Sequence, residues 1–158
     1  LRFFTFLPLD EIDHLFASHK ADPGRRLAQR HLADDVTARI HGKETVARVT
    51  AAAGILFGGD DLSSADAATL AMVASAVPHA TTSRAALRDG MPIAEALVHV
   101  GLATSKGEAR RGLESGGFSV NGAVVDAARV VTESDLMGGH AVLLRKGKRS
   151  WAALTVEE

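Results

Sequence analysis

The sequence contains no cysteine. That excludes disulfides, thiolate metal sites and a cysteine nucleophile, and it fits a cytoplasmic protein. No apolar run approaches the roughly 20 residues that a membrane span needs, so no membrane partner is expected. Charge of one sign is also lacking: 18 basic and 19 acidic side chains leave a formal net charge of −1. Any nucleic-acid role must therefore come from local basic patches and not from a general field. The opening LRFFTFLPLDEI has neither an initiator methionine nor a basic region followed by an apolar core and cleavage site. It is not a signal peptide, and it reads as the start of a chain that begins inside a longer protein.

The catalytic signatures are missing too. A phosphate-binding loop needs G-x-x-x-x-G-K-[ST] between a strand and a helix. Here Lys106 precedes Gly107, while His41-Gly42-Lys43 and Gly147-Lys148 lack the upstream glycine. Gly116-Gly117 has no partner at dinucleotide-motif spacing. No H-E-x-x-H occurs; His14 and His19 are five apart, His99 stands on a short helical segment, and no three histidines converge by local spacing. Asp10, Glu11 and Asp13 sit where a helix start favours acids. Asp34-Asp35, Asp60-Asp61 and Glu157-Glu158 read as solvated face, loop and tail. Ser105 is better explained as a helix cap than as a nucleophile. No catalytic residue, metal ligand or cofactor site is expected in this chain.

What is present divides into two halves. At 158 residues there is room for one or two small domains with real cores. Pro8 opens a helix with Leu9, Ile12, Leu15 and Phe16 at helical spacing. Asp22-Pro23 marks a second start, with Ala28, Leu32, Val36 and Ile40 as its stripe, until Gly42 breaks the run. Val46, Val49, Ala53 and Leu56 define a third helix ending near Gly58-Gly59. Ser64 is the expected cap of an alanine-rich fourth, which Pro78 stops after Val77. The stretch PHATTSRAALRDG is mixed, with a short helix around 84–87, and the domain boundary is placed there. The expected organisation is a helical domain over 1–82, a linker at 83–90 and a smaller domain over 91–158.

After Pro92 the pattern changes. Ile93, Ala96, Leu97 and Val100 line one short helix, and Gly101 supplies its exit. Ser105 and Glu108 have capping-box spacing for a second helix, from Lys106 to about Ser115, whose buried side is Ala109 and Leu113. Period two follows: Phe118 and Val120 alternate, Asn121-Gly122 is a hairpin signal, and Val124 returns. Residues 141–144 and 151–156 predict a second hairpin around RKGKRS. The fold class expected is α+β: helices first, then a helix-turn-helix pair packed on a small, mainly antiparallel sheet.

Two basic runs stand out. On the second short helix Lys106 and Arg110 are four apart and share a side, and Arg111 lies about 100 degrees farther round. In the second hairpin Arg145, Lys146, Lys148 and Arg149 surround Gly147 without an acid among them. A rigid helix and a hairpin tip can together present cations to a phosphate backbone, and arginine adds planar, multi-donor contacts. The same charges could be ordinary solvated ones, with Glu108 and Glu114 partly neutralising them. Trp151 could stack on a base, but its place in an apolar strand assigns it to the core. The RNA-binding reading requires the helix and the turn to form one solvent-facing surface.

These residues also carry a resemblance. AEALVHVGLATSKGEARRGLESGGFSVNG resembles the S4-type RNA-binding module: a helix, a Gly-Leu-Ala-x-Ser turn, a basic helix and a hairpin with Val-Asn-Gly. Together with LLRKGKRSWAAL, FTFLPLDEI and AQRHLADDVTARIHG, it resembles the C-terminal portion of the bacterial tyrosyl-tRNA synthetase family over nearly the whole chain. The resemblance implies a helical anticodon-binding domain followed by a small S4-like domain. It implies tRNA(Tyr) as partner and a parent ligase that uses ATP with magnesium to attach L-tyrosine. The parent would be homodimeric through its catalytic part. Lys106, Arg110 and Arg111 match the basic positions of the S4 helix, and Arg145, Lys146, Lys148 and Arg149 match the basic strand-turn region. Arg25, Arg26, Arg30, Arg39, Lys43 and Arg48 are further cations in the first half, able equally to pair with Asp34, Asp35 and Glu44. The chain departs from the family pattern in having neither a His-Ile-Gly-His signature nor a Lys-Met-Ser-Lys-Ser loop; SKGE at 105–108 is no substitute. Both would precede Leu1, so this stretch alone should not activate tyrosine. Ser150 and Trp151 stand where relatives often have a different polar-aromatic pair. Two other readings are an S4 module of a ribosome-associated or RNA-modifying protein, and a helical interaction module that binds no RNA.

Overall fold

The computed structural model describes residues 5–59, 62 and 65–157. Ser64, Asp60-Asp61 and Glu158 lie outside the described residues. The chain is α+β and divides into two compact units, Leu1–Val49 and Thr50–Glu158.

In the first unit α1 (Leu9–Ala21) packs on α2 (Leu27–His41). Ile12 and Leu15 of the expected stripe are buried, whereas Leu9 and Phe16 are exposed. The expected second helix starts later than Asp22-Pro23. Pro23–Arg25 forms a 3-10 turn, Asp22 makes no side-chain cap, and Arg26 turns the chain through the left-handed region at φ 53°. Along α2 Leu32 and Val36 are half-buried and Ile40 is exposed. Gly42, at φ 87°, ends α2, and α3 (Lys43–Ala53) carries the chain across the division.

In the second unit α3 continues into a π-helical turn, Gly54–Gly58, closed by Gly59 at φ 85°. The cap of α4 (Ala67–Ala76) is Asp66, whose carboxylate accepts the Thr69 amide at 2.7 Å. Beyond Pro78 lies an element that the sequence does not signal. His79–Ser83 is a strand, β1, and the 83–90 stretch expected as a linker is mostly helix α5 (Arg84–Asp89). Ser83 caps α5, and its Leu87 is fully buried, so this stretch belongs to the packed body.

Then follow β2 (Met91–Pro92), α6 (Ile93–His99), α7 (Lys106–Glu114), β3 (Phe118–Val120), β4 (Ala123–Val124), β5 (Val130–Val131), β6 (Ala141–Lys146) and β7 (Ser150–Glu157). The larger sheet has the order β1-β7-β6-β3-β4, and β2 pairs with β5 in a separate two-stranded ladder. All pairings are antiparallel except β1 with β7. A period-two scan misses β1 because HATTS is half-exposed along its length.

Side chains alternate across a strand, so each central strand feeds two cores. Val142, Leu144, Ala152 and Leu154 join Ile93, Leu97, Ala109 and Leu113 on the side of α6 and α7. Ala141, Leu143, Trp151 and Ala153 join Ile55, Leu56, Leu70 and Val73 on the other side. Trp151 is a core residue, 7% exposed, with its indole N–H donating to the Leu56 carbonyl at 3.2 Å.

Candidate nucleic-acid interface

Helix α7 is specified at both ends and on its buried side. The Ser105 hydroxyl accepts the Glu108 amide at 3.2 Å, which caps the N-terminus. Glu108 does not close a reciprocal box onto Ser105; its carboxylate takes the amide and hydroxyl of Thr104 instead, at 2.8 and 2.6 Å. Ala109 and Leu113 are buried as the spacing predicts, and Gly116 leaves the helix at φ 68°. Lys106, Arg110 and Arg111 are therefore left exposed on the outer arc.

The turn between β6 and β7 is held against this helix. Gly147 takes φ 61°, and its amide donates to the carbonyl of Gly117, just past the end of α7, at 2.8 Å. One residue earlier, the Lys146 ammonium reaches the Glu108 carboxylate at 2.7 Å and lies 5.8 Å over the Phe118 ring. The first turn of α7 and the end of β6, 38 residues apart in sequence, thus meet at a salt bridge.

Strand alternation divides the second run. Lys146 points to the α7 side. Arg145 pairs in register with Trp151 and lies over its indole, 5.0 Å from the ring centroid, on the opposite face. The hairpin therefore does not offer its four cations to one surface. Lys148 and Arg149 are exposed at the tip. Ser119, opposite Arg145 on β3, is buried, and neither its hydroxyl nor Arg145 Nε has a hydrogen-bond partner among the described residues.

Two of the seven cations are held by acids. Lys106 meets Glu95 of α6 at 2.7 Å, and Lys146 meets Glu108. Among the described residues no carboxylate pairs with Arg110, Arg111, Arg145, Lys148 or Arg149. The Lys146 hydrogen bond is the chief reason that the Glu108 carboxyl is held at about 2 against the ordinary 4.5; the Thr104 hydroxyl and amide add to it. Glu95 is lowered in the same sense, first by its hydrogen bond from Lys106. In the first unit Arg39 and Arg48 pair one turn back with Asp35 and Glu44, at 2.7 and 2.6 Å.

No group of three or more His, Asp or Glu side chains among the described residues could hold a metal ion. A cavity of about 280 Å³ lies between α4 and the sheet face away from α7. Its lining is mainly Leu70, Ala74, Met137 and Leu143, with His79 and His140. No described helix is long and apolar enough to cross a membrane.

The family described as "Tyrosine--tRNA ligase SYY-like C-terminal domain" matches residues 69–154, more than half of the chain. The chain belongs to this family. The tyrosine--tRNA ligase of Anaeromyxobacter dehalogenans strain 2CP-C is 50% identical over 158 residues, covering 99% of this chain and 37% of the relative. That of Leifsonia xyli subsp. xyli is 42% identical over 159 residues, covering 100% of this chain and 35% of the relative. That of Roseiflexus castenholzii is 41% identical over 153 residues, covering 96% and 36%. The chain corresponds to the C-terminal portion of tyrosine--tRNA ligases and spans little more than a third of these relatives' length. The catalytic signatures of the ligase are absent from it.

Proposed function

We propose that this chain is the tRNA-recognition part of a cytoplasmic tyrosine--tRNA ligase, whose full-length form attaches L-tyrosine to tRNA(Tyr) with ATP and magnesium. The observation that carries the proposal is the junction at Lys146 and Glu108, reinforced by the Gly147–Gly117 hydrogen bond. It fixes the base of the basic turn against α7, which supports one connected cationic edge over two unrelated solvated patches.

In this reading Lys106, Arg110, Arg111, Lys146, Lys148 and Arg149 contact phosphates around one edge of the domain. Arg145 contacts RNA from the opposite face of the hairpin. The helical part, 1–82, contributes to the anticodon side and 91–158 is the S4-like part, with 83–90 between them packed on the core of the latter through Leu87. Homodimerisation belongs to the catalytic region of the parent. The recognition part supplies binding and alignment, which is what lets a distant 3′ end meet a reactive adenylate productively.

The test is titration of a tRNA(Tyr) transcript against salt. If six of the seven cations meet phosphates, the slope of log K against log salt is about −4 to −5. Replacing Lys106, Arg110 and Arg111 together by glutamine should weaken binding and flatten that slope by about 2 to 3. Unchanged affinity in the triple variant would remove the basic helix from the interface.

A further inference from the structure

Resting on that reading, we infer that Glu108 is a positioning residue for RNA: an acid that strengthens binding of a polyanion by fixing the cations around it. Each oxygen of its carboxylate has a separate task. One oxygen takes the Lys146 ammonium at 2.7 Å. The other takes the Thr104 amide and hydroxyl at 2.8 and 2.6 Å, at the mouth of the turn that leads into α7. Its own amide is held by Ser105.

Glu108 therefore ties together the entry to α7, the first turn of α7 and the end of β6. A lysine side chain otherwise samples many rotamers, and ordering it costs free energy at binding. Here much of that cost is met in the free protein. The ammonium has three donors, and Glu108 takes one of them. Glu114, at the far end of the same helix, is exposed and has no partner among the described residues. It carries the same charge and has no such task.

This arrangement makes a prediction opposite in sign to simple electrostatics. Removing a carboxylate from a basic face should tighten RNA binding if only net charge matters. We expect Glu108→Ala to weaken binding of a tRNA(Tyr) transcript by the full 158-residue chain about three- to tenfold, the loss typical of one or two coupled polar contacts. Glu114→Ala, the charge-matched control, should bind slightly tighter. Lys146→Ala should weaken binding alone but add little in the Glu108→Ala background, because the two act as one unit.

Thr104→Val keeps every charge, removes the hydroxyl that holds Glu108, and should weaken binding in the same direction. It decides the matter if Glu108→Ala does not fold, as judged by fluorescence of the lone tryptophan, Trp151. Equal or tighter binding by folded Glu108→Ala, or unchanged binding by Thr104→Val, overturns the inference while leaving the proposed function standing. A wild-type chain that shows no salt-dependent tRNA binding overturns both.

Discussion

Gly112 sits so close over Phe118 that a Cβ atom built on it would lie 2.3 Å from Cε2 of the ring. Glycine inside a helix normally costs about 1 kcal/mol relative to alanine. Here the absent side chain lets the start of β3 pack directly beneath α7, and Lys146 then lies over the same ring. Gly112→Ala should therefore destabilise the domain by about 1–3 kcal/mol, the usual cost of overpacking, despite the gain in helix propensity. Chemical denaturation measures it; a midpoint raised by the substitution would show that the ring moves aside freely.

Asn121 has a second role beyond its place in the hairpin turn. Its φ of 48° and that of Gly122, 88°, are the left-handed pair expected of Asn-Gly. Its side-chain carbonyl also accepts the Leu143 amide at 2.9 Å, and its side-chain amide donates to the Asp135 carbonyl at 2.7 Å. The residue thus joins β3 to β6 and to the short helical turn before β6. Asn121→Gly keeps the turn conformation accessible and loses both bonds; we expect a loss of about 1–3 kcal/mol. Asn121→Ala adds the strain of a positive φ and should cost about 1 kcal/mol more. Equal stability of the two variants would remove the backbone part of this account.

Much of this architecture is legible in the sequence, for physical reasons that differ by element. The cap and apolar spacing of α7 leave few alternatives for Ser105, Ala109 and Leu113. The hairpin residues Asn121-Gly122 and Gly147 sit where only left-handed backbone closes the turn. What escapes is what local pattern cannot encode. Strand β1 is paired in parallel with β7, some 74 residues away, and HATTS has no buried face of its own to advertise it. The 83–90 stretch looks like a linker until Leu87 finds a core assembled from later residues. Within the site, the run RKGKR suggests one cationic tip. The alternation that turns Lys146 toward α7 and Arg145 toward Trp151 becomes visible once the strand is known to extend through both. The role of Glu108 was obscured in the same way: capping-box spacing predicts a bond to its own cap, and Thr104 and Lys146 take the carboxylate instead.

Ser119 gives a third test. The Ser119 hydroxyl is buried without a partner among the described residues, and such a group costs stability relative to an apolar one of similar shape. Ser119→Ala should be neutral or stabilising by up to about 1 kcal/mol. A clear loss on thermal or denaturant unfolding would mean that the hydroxyl is satisfied, most simply by a bound water.

The acid dependence of the Glu108 junction has a definite sign. Its carboxyl is lowered from 4.5 to about 2, chiefly by the Lys146 hydrogen bond, so the folded state binds this proton less readily than the unfolded chain does. The stability contributed by Glu108 is therefore complete above 4.5 and is lost as the pH falls toward 2. Glu95, lowered by Lys106, acts in the same direction. Both pairs lie at the surface, so the effect is modest and shrinks with salt. Glu108→Ala removes one of the two contributions. The stability gap between wild type and this variant should be constant above 4.5 and close progressively as the pH is lowered toward 2, which denaturant melts across that range measure. A gap that stays constant down to the acid end would mean that the carboxylate is not held in its charged form by Lys146, and the junction between helix and turn would then rest on the Gly147–Gly117 bond and the packing of Phe118.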